Sequence, residues 1–372
     1  MDGLNTIRTS TEGLAMVMIA EAAQPLKRFL QNTNVNSFAQ SMVLKMVLAF
    51  ISHTGRMTCS QAAGSVASEA VHRGQLTRFL ARPRWQKDDI NEALRAILLQ
   101  QEAGAGIFVF VIDATLASQA GVKTENTYCT SRRERKKKNR RYKKVVHKKC
   151  HSFTFGLLIT PSGTRIPYQI PHYTKEYCAV KNIPHRTTAQ AAAELIRGLP
   201  LPEDAEVVVL GDTAYEAQAV RDACDDRGYT WIFPANHERV YEGPKGKRPK
   251  LRSRLKDWTK LSTKTIRLRP STGKYAEYRR ISRWRVGPRQ KPRVYYAYQE
   301  KLAVRHVGDV QLVFSTTKPN LEKATADDVK ILMTNARSMS VTEVIELYSL
   351  RWQIEVYQAD YVSSAVLYHI AA

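Results

Sequence analysis

The stretch IFVFVIDATLAS, residues 107–118, decides the fold. Six apolar residues, Ile107 to Ile112, run directly into one carboxylate, Asp113. A run this short, rich in Ile, Val and Phe, predicts a buried central strand. Asp113 is then expected where the strand leaves the core and a charge stays hydrated. The stretch AEVVVLGDTAYE, residues 205–216, repeats the design, its apolar run ending in Asp212. Two such strands side by side put both carboxylates at one edge of a sheet. Glu355, in YSLRWQIEV, is a third acid that a helix can bring to them. Carboxylates gathered at one point repel, and Mg2+ is their usual compensation.

The charge of the chain is unusual. Among 372 residues, 58 are Lys or Arg and 34 are Asp or Glu, a net charge of +24. That balance points to a polyanionic partner, most simply nucleic acid. A ribosome or an anionic membrane surface would give the same sign. The apolar fraction, 43%, is ordinary for a folded protein with one or two sizeable cores. The five cysteines, Cys59, Cys129, Cys150, Cys178 and Cys224, form no framework and no CxxC, so reduced thiols are expected. His147, Cys150 and His151 are close together but lack a second ligand pair for zinc. No signal layout opens the chain. Its longest apolar stretches are too short to span a bilayer, or are broken by Lys45. A soluble cytoplasmic protein with no membrane partner is expected. No GxxxxGK[ST] loop calls for ATP, and no nucleophile elbow calls for Ser or Cys catalysis.

Residues 1–100 read as a helical region. SFAQSMVLKMVLAFIS (37–52) has helical apolar spacing behind a Ser37 cap, and segments 59–71, 76–85 and 88–102 follow it. Arg73, Arg78, Arg82 and Arg84 could dock this region on DNA or simply be solvated. Residues 105–236 give a strand, a hairpin over 151–171 with PSG as its turn, and a helix over 187–199. The Asp212 strand, a helix from Glu216 to about Asp226 and the strand TWIFPAN complete it. That order fits an α/β mixed sheet of the ribonuclease-H kind, with flanking helices. Between the hairpin and Asp113 lies the block 130–149, with twelve Lys or Arg and one acid. Such a block is usually disordered when free, and Arg132, Arg133, Lys136, Lys137, Arg140 and Arg141 are its candidate phosphate contacts. Residues 237–335 are β-rich and basic, with nineteen Lys or Arg against two acids between Lys245 and Arg293. Aromatics interleave with the charges there, which suits a phosphate track with base stacking or an insertion sheet whose rings only pack. From Val341 a helix resumes, and Tyr348, Arg351 and Glu355 fall on one face of it.

These residues resemble insertion-sequence transposases of the DDE superfamily, specifically the insertion-sequence-4-like group. The likeness rests on Asp113 in VIDAT, Asp212 in LGDTAYE, and the pattern Tyr348-x2-Arg351-x3-Glu355, with successive acids 99 and 143 positions apart. It covers about residues 35–356. It implies a ribonuclease-H-like core (105–236 with the final helix of 336–372), the β-rich insertion 237–335 between the second Asp and the Glu, and a DNA-binding helical region over 1–100. It also implies cut-and-paste transposition by Mg2+-dependent phosphoryl transfer, and a homodimer bridging two terminal inverted repeats before joining them to target DNA. Asp113, Asp212 and Glu355 would hold two Mg2+ ions, with Mn2+ as a substitute. Tyr348 and Arg351 would grip a phosphate near the cut. A tryptophan would stack a flipped base, with Trp231, Trp258 and Trp284 as candidates and Trp284 favoured.

The sequence departs from the family pattern after Val356. The Lys expected beyond the Glu is replaced by Val362, and no Lys or Arg follows Arg351. A C-terminally truncated or frameshifted copy is the expectation. Two other readings remain at this point: a decayed copy that binds DNA without transposing, and a ribonuclease-H-like nuclease without transposition.

Overall fold

The structure is a computed structural model that describes residues 24–52, 58–65, 72–81, 87–102, 104–118, 125–135, 143–260, 263–268, 275, 278, 293–319 and 324–363. The described chain divides into two compact units, one up to Gln101 together with the residues from Ala359 onward, the other spanning Glu102–Gln358.

The first unit is helical. It holds α1 (24–31), α2 (Ser37–Ser52), α3 (Cys59–Ser65), α4 (Arg73–Ala81) and α5 (Lys87–Gln100). Val35, Ala39, Met42, Ala49, Ala62, Leu76 and Phe79 form its core. The cap of α2 is Asn36 rather than Ser37: the Asn36 side chain accepts from Ala39 N at 2.9 Å. Either residue type suits the position, and the one-residue shift follows from which side chain faces the free N–H groups. Arg73 and Arg78 are exposed on α4, while Arg82 and Arg84 lie outside the described residues.

The second unit is built on a ten-stranded mixed sheet. Its strands are β1 (Phe108–Ser118), β2 (Tyr128–Arg135), β3 (Lys143–Ile159), β4 (Arg165–His172), β5 (Val207–Leu210), β6 (Thr230–Pro234), β7 (Lys264–Leu268), β8 (Arg293–Val304), β9 (Gly308–Thr316) and β10 (Lys330–Thr334). The order is β2-β3-β1-β5-β6-β10-β9-β8-β7, with β4 paired to β3. β1, β5 and β6 run parallel, and the other neighbours are antiparallel.

The apolar run of β1 is buried on both faces, with Val109, Phe110, Val111 and Ile112 inaccessible to solvent. This is what a continuous apolar run in a central strand requires. Alternation then sorts the sheet into two faces. Val109 and Val111 share a core with Val208, Leu210, Ile232, Leu332, and with Val344, Leu347, Tyr348 and Ile354 from α9 (Val341–Ser349) and α10 (Trp352–Ser363). Each such buried aliphatic side chain contributes about 1.5–3 kcal/mol, so this face fixes where the last two helices lie. Helices α7 (Thr188–Arg197) and α8 (Gln218–Asp226) pack on β3, β4 and β6 and contribute nothing to that core, while α6 (Lys175–Lys181) follows β4. The helix expected over 187–199 is α7, with a full capping box between Thr187 and Gln190.

Three further sequence expectations change. β1 does not end at Asp113 but continues to Ser118, paired with β3 throughout. What stops near Asp113 is the parallel pairing with β5, whose last pair is Val111 with Leu210. The basic block is not wholly irregular: residues 128–135 and 143–150 pair as β2 and β3, with Arg132 opposite Val146 and Arg133 opposite Val145. Finally, the helix carrying Tyr348 and Glu355 is not continuous. It breaks at Leu350 and Arg351, where Gln353 N bonds Leu350 O at 2.8 Å and Ile354 N bonds Arg351 O at 3.3 Å, the tighter three-residue spacing.

Candidate active site

The sheet register brings the two aspartates level. Val111 pairs with Leu210, and each stands two residues before an Asp on parallel neighbours. Asp113, within β1, and Asp212, just past the end of β5, therefore stand at the same height and on the same face as Val111 and Leu210. That face is the one α9 and α10 cover. Asp212 also caps the turn after β5, accepting from Ala214 N at 2.8 Å. Asp113 accepts from Ala114 N at 2.8 Å.

Helix α10 delivers the third acid. Its Tyr357 ring stacks on Phe155 of β3 with centroids 6.0 Å apart, and Phe155 is the register partner of Asp113. Its Gln353 accepts from Arg165 of β4 at 3.0 Å. Thus held, the helix places Arg351 Nη2 at 2.6 Å from Glu355 Oε1 and Nη1 at 3.9 Å from Asp113 Oδ2. Side-chain exposures of 20% for Asp113, 19% for Arg351 and 32% for Glu355 leave the group open to a ligand from solvent. Burial raises the pKa of Asp113; its backbone hydrogen bond and Arg351 oppose that, and the charges of Asp212 and Glu355 add to it. The acids that lie far apart in sequence are thus electrostatic neighbours.

Tyr348 is buried on α9, and its hydroxyl donates to Gly211 O at 3.4 Å. Burial, opposed by Arg351 and reinforced by Asp212, raises its pKa to about 12. The Tyr therefore stays neutral and anchors α9 to the loop that carries Asp212.

Among the described residues no group of three His, Cys, Asp or Glu side chains is drawn close enough to hold a metal ion. In the arrangement seen, the positive charge between Asp113 and Glu355 is the guanidinium of Arg351. The donor chemistry nonetheless fits Mg2+, which takes carboxylate oxygens. The repulsion felt by Asp113 is what such an ion would relieve.

Of the other sequence candidates, Arg132 and Arg133 belong to β2, with their side chains outside the described residues. Lys136, Lys137, Arg140, Arg141 and Trp284 also lie outside them, as does the side chain of Trp258. Trp231 is withdrawn as a base-stacking residue. It is 2% exposed, stacked on Phe233, and its Nε1 donates to Asp225 at 3.2 Å. Sequence reasoning missed Lys330, whose ammonium lies 4.4 Å from the centroid of the Tyr348 ring. A single Lys opening a strand carries no sequence signal. It also missed the buried Glu216, which binds Arg221 at 2.9 Å and Arg239 at 2.6 Å just beyond the Asp212 turn.

Among the described residues no helix is long and apolar enough to cross a membrane. Comparison with curated proteins gave no match. Asp113 lies upstream of the family match, whereas Asp212, Tyr348, Arg351 and Glu355 fall inside it. Residues 178–360 match the family model described as "Transposase DDE domain".

Proposed function

We propose that the chain is a DDE transposase of the insertion-sequence-4-like group, with a ribonuclease-H-like core, that cuts and joins DNA at transposon ends. The observation that carries this reading is the level placement of Asp113 and Asp212 on parallel strands, with Arg351 and Glu355 above them. A transposase domain implies DNA as the substrate, and the net charge of +24 suits it. Terminal inverted repeats and target DNA are the proposed partners, bound by a homodimer.

Asp113, Asp212 and Glu355 would together hold divalent cations, two Mg2+ or Mn2+ in their place. The chemistry those ions supply when bound is activation of a water or DNA 3′-OH and stabilisation of the leaving oxygen. The protein's own part is positional. The rigid sheet holds the two aspartates level, and Tyr348 fixes the approach of α9. Arg351 turns its guanidinium from Glu355 and Asp113 to a DNA phosphate, as a charge-assisted clamp. That exchange releases two carboxylates as the substrate arrives. Arg132, Arg133, Lys136, Lys137, Arg140 and Arg141, with Trp284, extend the contact along the DNA.

The test uses the full chain and a supercoiled plasmid carrying the flanks of its own reading frame. Mg2+-dependent cleavage at the flanks is expected. The changes Asp113→Asn, Asp212→Asn and Glu355→Gln should each reduce it by ~10²–10³-fold or more. Binding without cleavage would favour the decayed-copy reading, and cleavage without preference for the flanks would favour a general nuclease. Cleavage that survives all of these changes would reject the site.

A further inference from the structure

We infer that Lys330 is a substrate-contacting residue of this site, its ammonium taking a non-bridging phosphate oxygen of the DNA strand held beside Asp212. The inference rests on the transposase reading and deepens it.

The register locates the residue. Leu210 of β5 pairs with Ile232 of β6, and Ile232 pairs with Thr334 of β10. Because β10 runs antiparallel to β6, Leu332 faces Pro234, level with Asp212. Lys330 stands two residues further in the same direction, at the edge of the sheet where the carboxylates emerge. Even spacing also puts it on the same face as Leu332, the face that contains Val111, Leu210 and Tyr348. The backbone alone thus brings Lys330 to the open side of the site.

The side chain agrees with the backbone. Its Nζ rests over the Tyr348 ring, a cation–π contact that aims the ammonium without neutralising it. Arg351 and Asp212 both act on its charge, Arg351 against the protonated form and Asp212 for it, although burial is the larger influence and lowers the pKa. The residue as a whole is exposed, so a ligand can reach it.

Two cations close to it are already matched: Lys318 pairs with Asp328, two residues before Lys330, and Arg351 with Glu355. Among the described residues no carboxylate forms an ion pair with Lys330. A cation held over a ring, near Asp212 but in no ion pair among the described residues, is suited to a phosphate. The plainer alternative, a surface Lys that merely packs its stem on Tyr348, predicts no effect on DNA.

The experiment compares the wild type with Lys330→Met and Lys330→Arg, all full length. The probe is a duplex carrying one flank of the reading frame, with chelator present to prevent cutting. One version is unmodified; the other has a neutral methylphosphonate at the cleavage position mapped with the plasmid. The wild type should bind the neutral probe about ten-fold more weakly, the worth of one charge-assisted contact. Lys330→Met should bind the unmodified probe about as weakly and lose little more on the neutral one. Lys330→Arg should behave nearly as wild type. Overturning results are a wild type indifferent to the methylphosphonate, or a Met variant as sensitive to it as wild type. A Met variant that melts lower and weakens equally on both probes would mark a structural role and also overturn the inference. A wild type that cuts nothing in the plasmid assay fails at the earlier step and removes the transposase reading together with this one.

Discussion

Arg351 donates to Glu355 at 2.6 Å across a single helical turn, at the point where α9 gives way to α10. The same guanidinium lies 3.9 Å from Asp113. One side chain therefore links a helix joint to the central strand and is the resident cation of an acidic site.

Removing that cation should make Asp113 harder to ionise. Arg351 holds the Asp113 pKa down, while burial and the two other acids hold it up. In Arg351→Met the opposing influence is gone, so the Asp113 pKa rises further. The acidic limb of a cleavage–pH profile should move to higher pH, and the plateau rate should fall by ~10²-fold or more. Arg351→Lys keeps the charge but not the planar fork, so it should restore the pH limb better than the rate. An acidic limb unchanged in the Met variant would refute the coupling.

Asp113 should also cost the fold stability near neutral pH. Its folded pKa is raised above the ordinary 3.8, chiefly by burial. A raised carboxylate pKa means that the protonated form suits the folded state better. The stability it contributes is present below the ordinary value and is lost as pH rises through the folded pKa. Asp113→Asn should therefore melt higher than wild type at pH 7, and the difference should shrink as pH falls towards about 4. A lower melting temperature for the Asn variant at neutral pH would contradict this.

The nearness of the three acids is more legible in the sequence than the sheet that carries them. Asp113 and Asp212 announced themselves because each ends a short apolar run, and Glu355 because Tyr348 and Arg351 precede it at helical spacing. The helix, hairpin and strand order of 151–236 followed from periodicity and turn residues. Less could be read where pairing partners decide. The extension of β1 to Ser118 depends on β3 beside it, and the strands in 128–150 depend on each other. Likewise β8, β9 and β10 read as an insertion, yet β10 pairs with β6 and joins them to the same sheet as Asp113. Lys330 gains its meaning only from that pairing. Local pattern reports burial and turns, whereas strand order is a property of distant contacts.

Glu216 should be a point of high sensitivity in stability. Its carboxylate is 5% exposed and meets Arg221, itself 6% exposed, at 2.9 Å, with Arg239 on its other side. Arg221 also donates to the backbone oxygen of His306 at 3.0 Å, in the turn between β8 and β9. The trio ties the segment after Asp212 to the distal strands. Glu216→Gln leaves Arg221 buried beside a neutral group, and breaking a buried pair from one side costs about 3–5 kcal/mol. A drop of that size in urea-unfolding free energy is expected. Replacing all three residues with apolar ones should cost less than the single change, because no buried charge is stranded. A single change worth under about 1 kcal/mol, the level of an exposed pair, would show that solvent reaches the cluster.

Gly156 should tolerate no side chain. It lies on β3 opposite Ile112 of β1 and Tyr168 of β4, one residue from the partner of Asp113. A Cβ there would be driven into the Phe110 ring, against Cζ and with Cε2 at 2.7 Å. Phe110 is fully buried and edge-on to Tyr168 at 5.9 Å, so the ring cannot swing away without moving a second aromatic. Gly156→Ala should therefore destabilise by about 1–3 kcal/mol, the usual cost of overpacking a filled core. Phe110→Leu removes the obstructing ring edge at a cavity cost of its own. Combined with Gly156→Ala, it should lose distinctly less than the sum of the two single changes, because the added methyl occupies space the ring has left. Strict additivity in urea midpoints, or a neutral Gly156→Ala, would mean that Phe110 is not what excludes the methyl group. The backbone of β3 beside Asp113 would then be free to shift, and the level placement of the two aspartates would need another cause.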